Sequence, residues 1–111
     1  MLNTGYTVDM TNTVPIDRQQ ILDILASSKV ELAARYGVTR LALFGSSVRN
    51  ELRDTSDVDV VVAFDGPATS KRYFGVLFYL EDQLGRPVDL VTEKALREEL
   101  RPYIEQEAVN V

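Results

Sequence analysis

Gly45-Ser46-Ser47-Val48-Arg49-Asn50-Glu51-Leu52-Arg53-Asp54-Thr55-Ser56-Asp57-Val58-Asp59-Val60-Val61-Val62 joins a glycine–serine turn to two aspartates one residue apart at the head of a valine run. Side chains alternate across a strand, so Asp57 and Asp59 emerge on one face while Val58, Val60 and Val62 emerge on the other. Two carboxylates then converge on one point. Left alone they repel and raise each other's pKa, and a divalent cation removes that penalty while keeping both ionised. The stretch suits a metal-held nucleoside triphosphate.

Working outward, residues 39–44 read as a short strand entering the Gly45 turn. Residues 46–52 then begin a short helix whose N-terminus faces whatever lies over the turn. The strand over 57–64 carries Val61 and Ala63 on the aspartate face, so both of its faces are buried beyond Asp59. Upstream, Pro15 suits a first helical position, and Ile21, Leu22, Leu25, Leu32, Ala33 and Tyr36 recur at helical spacing until Gly37 supplies a stop. Downstream of Asp65-Gly66-Pro67, Tyr73, Val76, Leu77, Leu80 and Leu84 mark a helix over 70–85, ended by Gly85. Pro87 opens a strand over 88–91, Thr92 can cap a helix over 93–100, Pro102 starts another, and 108–111 closes the sheet. Residues 1–14 carry no sustained period and read as an N-terminal arm before a single domain over 15–111. The fold class is α/β, a small mixed sheet with one helix packed before it and a crossover helix behind. The Gly45 turn, the Asp57 strand and the Asp89 strand are expected as neighbours.

At 111 residues the chain is one domain, and hydrophobic and charged contents of 45% and 26% are ordinary for a globular protein. A formal net charge of -5 and a pI near 4.6 argue against gripping nucleic acid by its phosphates, which needs a basic surface. The absence of cysteine and histidine removes disulfides, thiolate chemistry, imidazole bases and the usual zinc sites, leaving carboxylate-oxygen metal chemistry. No signal peptide or membrane-length apolar run is present, so no membrane role and a cytoplasmic home are expected.

Asp89 is the third piece. Its neighbours Val88 and Leu90 point the other way in a strand, so Asp89 can join Asp57 and Asp59 at one sheet surface. Three carboxylates in one cleft match a two-cation phosphoryl-transfer site. Gly45 allows close backbone approach, and Ser46 with the adjacent amides can hydrogen-bond a triphosphate. A calcium loop is a poor rival, because valines follow where an EF-hand needs further oxygen ligands. A P-loop fails because the turn lacks the Gly-Lys-Ser/Thr ending.

The combination of Gly45-Ser46, Arg49, Ser56-Asp57-Val58-Asp59 and a later Asp89 in a short apolar strand resembles the minimal nucleotidyltransferases of the DNA polymerase beta superfamily, over about residues 16–111. The resemblance implies a polymerase beta-like nucleotidyltransferase fold. It implies that Gly45 and Ser46, with Ser47 and Arg49 beside them, hold the triphosphate of ATP. It also implies that Asp57, Asp59 and Asp89 bind two magnesium ions and form the catalytic set. Relatives often carry a small residue where this chain has Asn50, a departure that leaves the metal site untouched. Such transferases commonly act as antitoxins of helical HEPN ribonuclease toxins, some by attaching AMP to a tyrosine of the toxin. A HEPN-type partner is therefore the implied acceptor.

Blander readings compete at single residues. Arg49 and Arg53 could form a solvated helix face with Glu51 and Asp54. Lys71 and Arg72 open a helix where the dipole disfavours cations, which hints at a phosphate or partner contact. Phe74 and Phe78 are expected in the core, and Glu98, Glu99, Glu105 and Glu107 read as a soluble face. The expected function is metal-dependent transfer of a nucleoside monophosphate from a triphosphate to a hydroxyl of a partner protein. The rivals are an antitoxin that works by binding alone and a small-molecule nucleotidyltransferase working as a homodimer. A chain this short has no room for an acceptor domain, so the acceptor surface is expected from another molecule, and homo-oligomer formation is left open.

Overall fold

Asp17 starts the first helix. Its side chain accepts from Gln20 N while Gln20 Oε1 accepts from Asp17 N, both at 2.8 Å, which satisfies two amides that the helix itself cannot. The computed structural model describes residues 17–49 and 57–111. The arm over 1–14, the helix start at Pro15, and Asn50, Glu51, Arg53, Asp54 and Ser56 lie outside the described residues. Helix α1 runs Arg18–Tyr36 and stops at Gly37, whose φ of 72° is the left-handed turn that glycine adopts without a Cβ penalty.

Strand β1, Val38–Phe44, pairs antiparallel with β2, Val58–Phe64. Helix α2, Ser70–Leu84, is the crossover that returns the chain to β3, Val88–Thr92, parallel to β2. After the short helix α3, Arg101–Glu107, the two-residue β4, Val109–Asn110, pairs antiparallel with β1. The sheet order is β3-β2-β1-β4. The expected strand neighbours and the closing edge strand are both observed.

The sheet has two unlike faces. Val58, Val60 and Val62 join Leu41 and Leu43 against Ile21, Leu25 and Leu32 of α1 and Val76, Leu80 and Leu84 of α2. The other face is thinner: Ala42, Val61 and Leu96 form its buried centre, with Phe44, Val91, Ile104 and Ala108 around them. Val60, Val61 and Val62 are 0% exposed, so β2 is covered on both sides as far as Val62, as expected, while Ala63, expected on the buried aspartate face, is only half-buried.

Three expectations need correction. The helix expected over 93–100 is a 3-10 turn, Glu93–Ala95, followed by extended backbone at Leu96, and Thr92 makes no side-chain cap. Extension there lets Leu96 reach the second core, where it is buried. Phe74 and Phe78 are not core: they are 47% and 61% exposed and stack on each other at 5.9 Å. Each residue advances about 100° around a helix, so with Val76, Leu80 and Leu84 on the sheet side these two rings turn outward. Arg72 has a local explanation in place of a phosphate, since its guanidinium reaches Asp65 at 2.9 Å.

Glu105 is also more than a soluble face. Arg40 donates to Glu105 Oε1 and Oε2 at 2.6 and 2.9 Å, to Glu93 Oε2 at 2.8 Å and to Asn110 Oδ1 at 2.8 Å. A planar guanidinium satisfies this fork geometry. It fastens α3, β4 and the Glu93 turn to β1. Arg40 in turn holds the Glu105 carboxyl below its usual pKa.

Candidate active site

Asp59 lies at the centre of the site because β2 is flanked on both sides. Its register partner on β1 is Phe44, the residue before the Gly45 turn, and its register partner on β3 is Asp89. Side-chain alternation puts Asp59 and Asp89 on the thinner sheet face, beside each other across a parallel ladder. Asp57 immediately precedes β2 and is exposed, as is Asp89, while Asp59 is half-buried.

The chain turns away from β1 through a 3-10 turn, Gly45–Ser47, so the helix expected over 46–52 is a single short turn in its described part. Gly45 is required here twice over. Its φ is +78°, and a Cβ at this position would come within 3.0 Å of Asp59 Cγ and nearer still to Oδ2. Val48 N donates to Gly45 O at 3.1 Å, and Arg18 Nη1 donates to Val48 O at 3.3 Å, which ties the turn to α1. Ser46 is half-buried; Ser47 is 1% exposed and its hydroxyl finds no hydrogen-bond partner among the described residues.

The electrostatics follow from this crowding. Burial pushes the Asp59 pKa from 3.8 to about 6, and the charge of Asp89, a hydrogen bond shared with it, and the charges of Asp57 and Glu107 add to the rise. The negative charge on Asp59 is thus disfavoured where it stands, beside Asp89 and Asp57. Asp57 acts on Asp59 through its charge. Among the described residues, no group of three or more Asp, Glu, His or Cys side chains is gathered closely enough to hold one metal ion. The donor set is nonetheless all carboxylate oxygen, the chemistry that suits a hard divalent cation. The penalty on Asp59 is one such a cation would relieve.

Sequence reasoning missed Glu107. The carboxylate closes the site from the third side: Gly45 N donates to its Oε1 at 2.8 Å and Arg49 Nη1 to its Oε2 at 2.8 Å. Arg49, assigned to the triphosphate by the resemblance, with a solvated face beside Glu51 and Asp54 as the blander alternative, has Glu107, 58 positions away, as a partner; Glu51 and Asp54 lie outside the described residues. The one local signal was an acid in the last turn of a short helix, where the dipole is unfavourable to it.

The site can be set beside known proteins. The profile of the nucleotidyltransferase domain family matches residues 25–110. The protein adenylyltransferase MntA of Thermococcus cleftensis is 37% identical over 93 residues, covering 84% of this chain and 94% of that relative. A solved structure described as a minimal nucleotidyltransferase superposes with a TM-score of 0.76 at 33% identity, covering 88% of this chain and 99% of the other. In fold alone, a chain from the complex of a tri-AMPylated Shewanella oneidensis HEPN toxin with MNT antitoxin matches with a TM-score of 0.53 at 17% identity, over 84% of this chain and 66% of that one.

Proposed function

The chain belongs to the nucleotidyltransferase domain family and is a nucleotidyltransferase, and from that premise we propose that it moves AMP from ATP to a hydroxyl of a partner protein, as the antitoxin of a HEPN-type toxin, with magnesium as the required metal. The observation that carries the reading is the register pairing of Asp59 with Asp89 beside the Gly45 turn, which sets an anionic, cation-seeking pair next to a backbone that a phosphate can approach. The name of the Thermococcus relative supports AMP transfer to protein.

In this reading Asp57, Asp59 and Asp89 hold two magnesium ions, and Gly45 with Ser46, Ser47 and Arg49 receives the triphosphate. When bound, magnesium neutralises phosphate charge and polarises the α-phosphoryl group. The chain's own part is placement. The Gly45 amide orients the phosphates, and Asp89, on the exposed edge strand, faces the side from which an acceptor enters. The acceptor oxygen bonds to the α-phosphorus, the bond to pyrophosphate breaks, and the hydroxyl proton leaves to a carboxylate or to water.

Co-incubation of the protein with its partner and ATP, followed by mass spectrometry of the partner, tests the proposal. The expected result is one or more AMP adducts on hydroxyl side chains, dependent on Asp57, Asp59 and Asp89. Neutralisation of the partner with no added mass would leave an antitoxin that works by binding alone.

A further inference from the structure

The Gly45 amide already holds an anion. Glu107 accepts its N–H at 2.8 Å and, through the other carboxylate oxygen, pairs with Arg49 at 2.8 Å. These are two of the groups assigned above to the triphosphate. Two features of its surroundings oppose a negative charge at that point. Glu107 is the last residue of α3, where the helix dipole disfavours an anion, and its charge is among those that press on Asp59. The turn itself has other supports in the positive φ of Gly45, the Val48 N to Gly45 O bond and the Arg18 contact.

We propose that Glu107 is a resident substitute for phosphate, occupying the Gly45 amide and Arg49 until a triphosphate displaces it, and that it thereby sets the nucleotide affinity of the site. The proposal rests on the nucleotidyltransferase reading and deepens it. The exchange needs no movement of α3. Arg40 clamps Glu105 two residues earlier, and Ile104 and Ala108 are packed against the second core. Only the Glu107 side chain has to rotate, and it is already 31% exposed to the solvent that would receive it.

The test is isothermal titration of the full chain with a non-hydrolysable ATP analogue and magnesium, using wild type, Glu107→Gln and Glu107→Ala, with thermal unfolding of each. Glu107→Gln keeps the shape and an acceptor oxygen while losing the charge, and so guards against a folding defect in the alanine variant. Displacing a charge-assisted contact predicts a Kd about tenfold lower in Glu107→Gln, and at least as low in Glu107→Ala. In turnover with a partner, KM falls while kcat stays nearly constant, because ground and transition states both gain. A residue that only braces the turn predicts the opposite, weaker binding with a lower Tm. A Kd unchanged or raised in Glu107→Gln, with wild type binding normally, overturns the role of Glu107 alone. No binding by wild type or variants at any magnesium concentration overturns the nucleotide reading together with it.

Discussion

Asp59→Asn should make the protein more stable as it destroys the site. Burial, then Asp89, raises the Asp59 pKa from 3.8 to about 6. The folded protein thus holds this proton more tightly than the unfolded chain does. The contribution to stability is fully present below about pH 3.8 and is lost as pH rises through about 6. A rise of that size corresponds to an upper bound of about 3 kcal/mol. Asp59 is only half-buried, so solvent screening reduces the expected cost to roughly 1–2 kcal/mol at pH 8. Asparagine cannot ionise and keeps an N–H to offer Asp89. Urea denaturation should therefore find Asp59→Asn more stable than wild type by about 1–2 kcal/mol at pH 8, with the gap closing towards pH 4. Magnesium should recover part of the same energy in wild type and less of it in the variant. A variant equal to or less stable than wild type at pH 8, or an advantage that grows towards acid, would refute the argument that Asp59 is held against its own charge.

Gly45→Ala should cost about 1–3 kcal/mol, from the left-handed backbone and the collision with Asp59, and should weaken triphosphate binding at least about tenfold; binding within twofold of wild type would contradict the close-approach role. Asp89→Asn should abolish AMP transfer while much of the nucleotide binding survives in titration, because Asp57, Asp59 and the Gly45 turn remain; near-normal transfer would remove Asp89 from the catalytic set. Arg40→Ala should destabilise by about 2–3 kcal/mol in denaturant unfolding, since a mostly covered guanidinium leaves Glu105, Glu93 and Asn110 without their donor. Arg40→Lys should restore less than half of that, lacking the bidentate fork.

The strands and their order were legible because β2 and β3 carry alternating patterns that are hard to read otherwise: Asp59 against Val58 and Val60, and Asp89 between Val88 and Leu90. Those patterns put Asp59 and Asp89 on one face, but a slip of two residues would satisfy them equally with Asp57 beside Asp89, so the pairing of Asp59 with Asp89 is set by the structure. Phe74 and Phe78 were misplaced because helical spacing fixes which residues share a stripe but not which stripe meets the sheet. The helix expected over 93–100 failed for a tertiary reason, the burial of Leu96 against Ala42 and Val61. Glu107 carried only a weak local signal, an acid at the unfavourable end of a short helix. Its partner Gly45 is 62 positions away, and only the docking of α3 through Arg40 and Glu105 brings the two together. The charge runs were the least informative part of the sequence, since Arg49, Arg72 and Glu105 all found partners that their immediate neighbours did not suggest.

The central claim is that Asp57, Asp59 and Asp89 form a cation site which, with the Gly45 turn, holds a nucleoside triphosphate. Its most direct measurement is isothermal titration of the wild-type protein with ATP, once with magnesium and once with a chelator. The account predicts saturable one-to-one binding that is at least about tenfold tighter with magnesium. Equal affinity in the two titrations would contradict it.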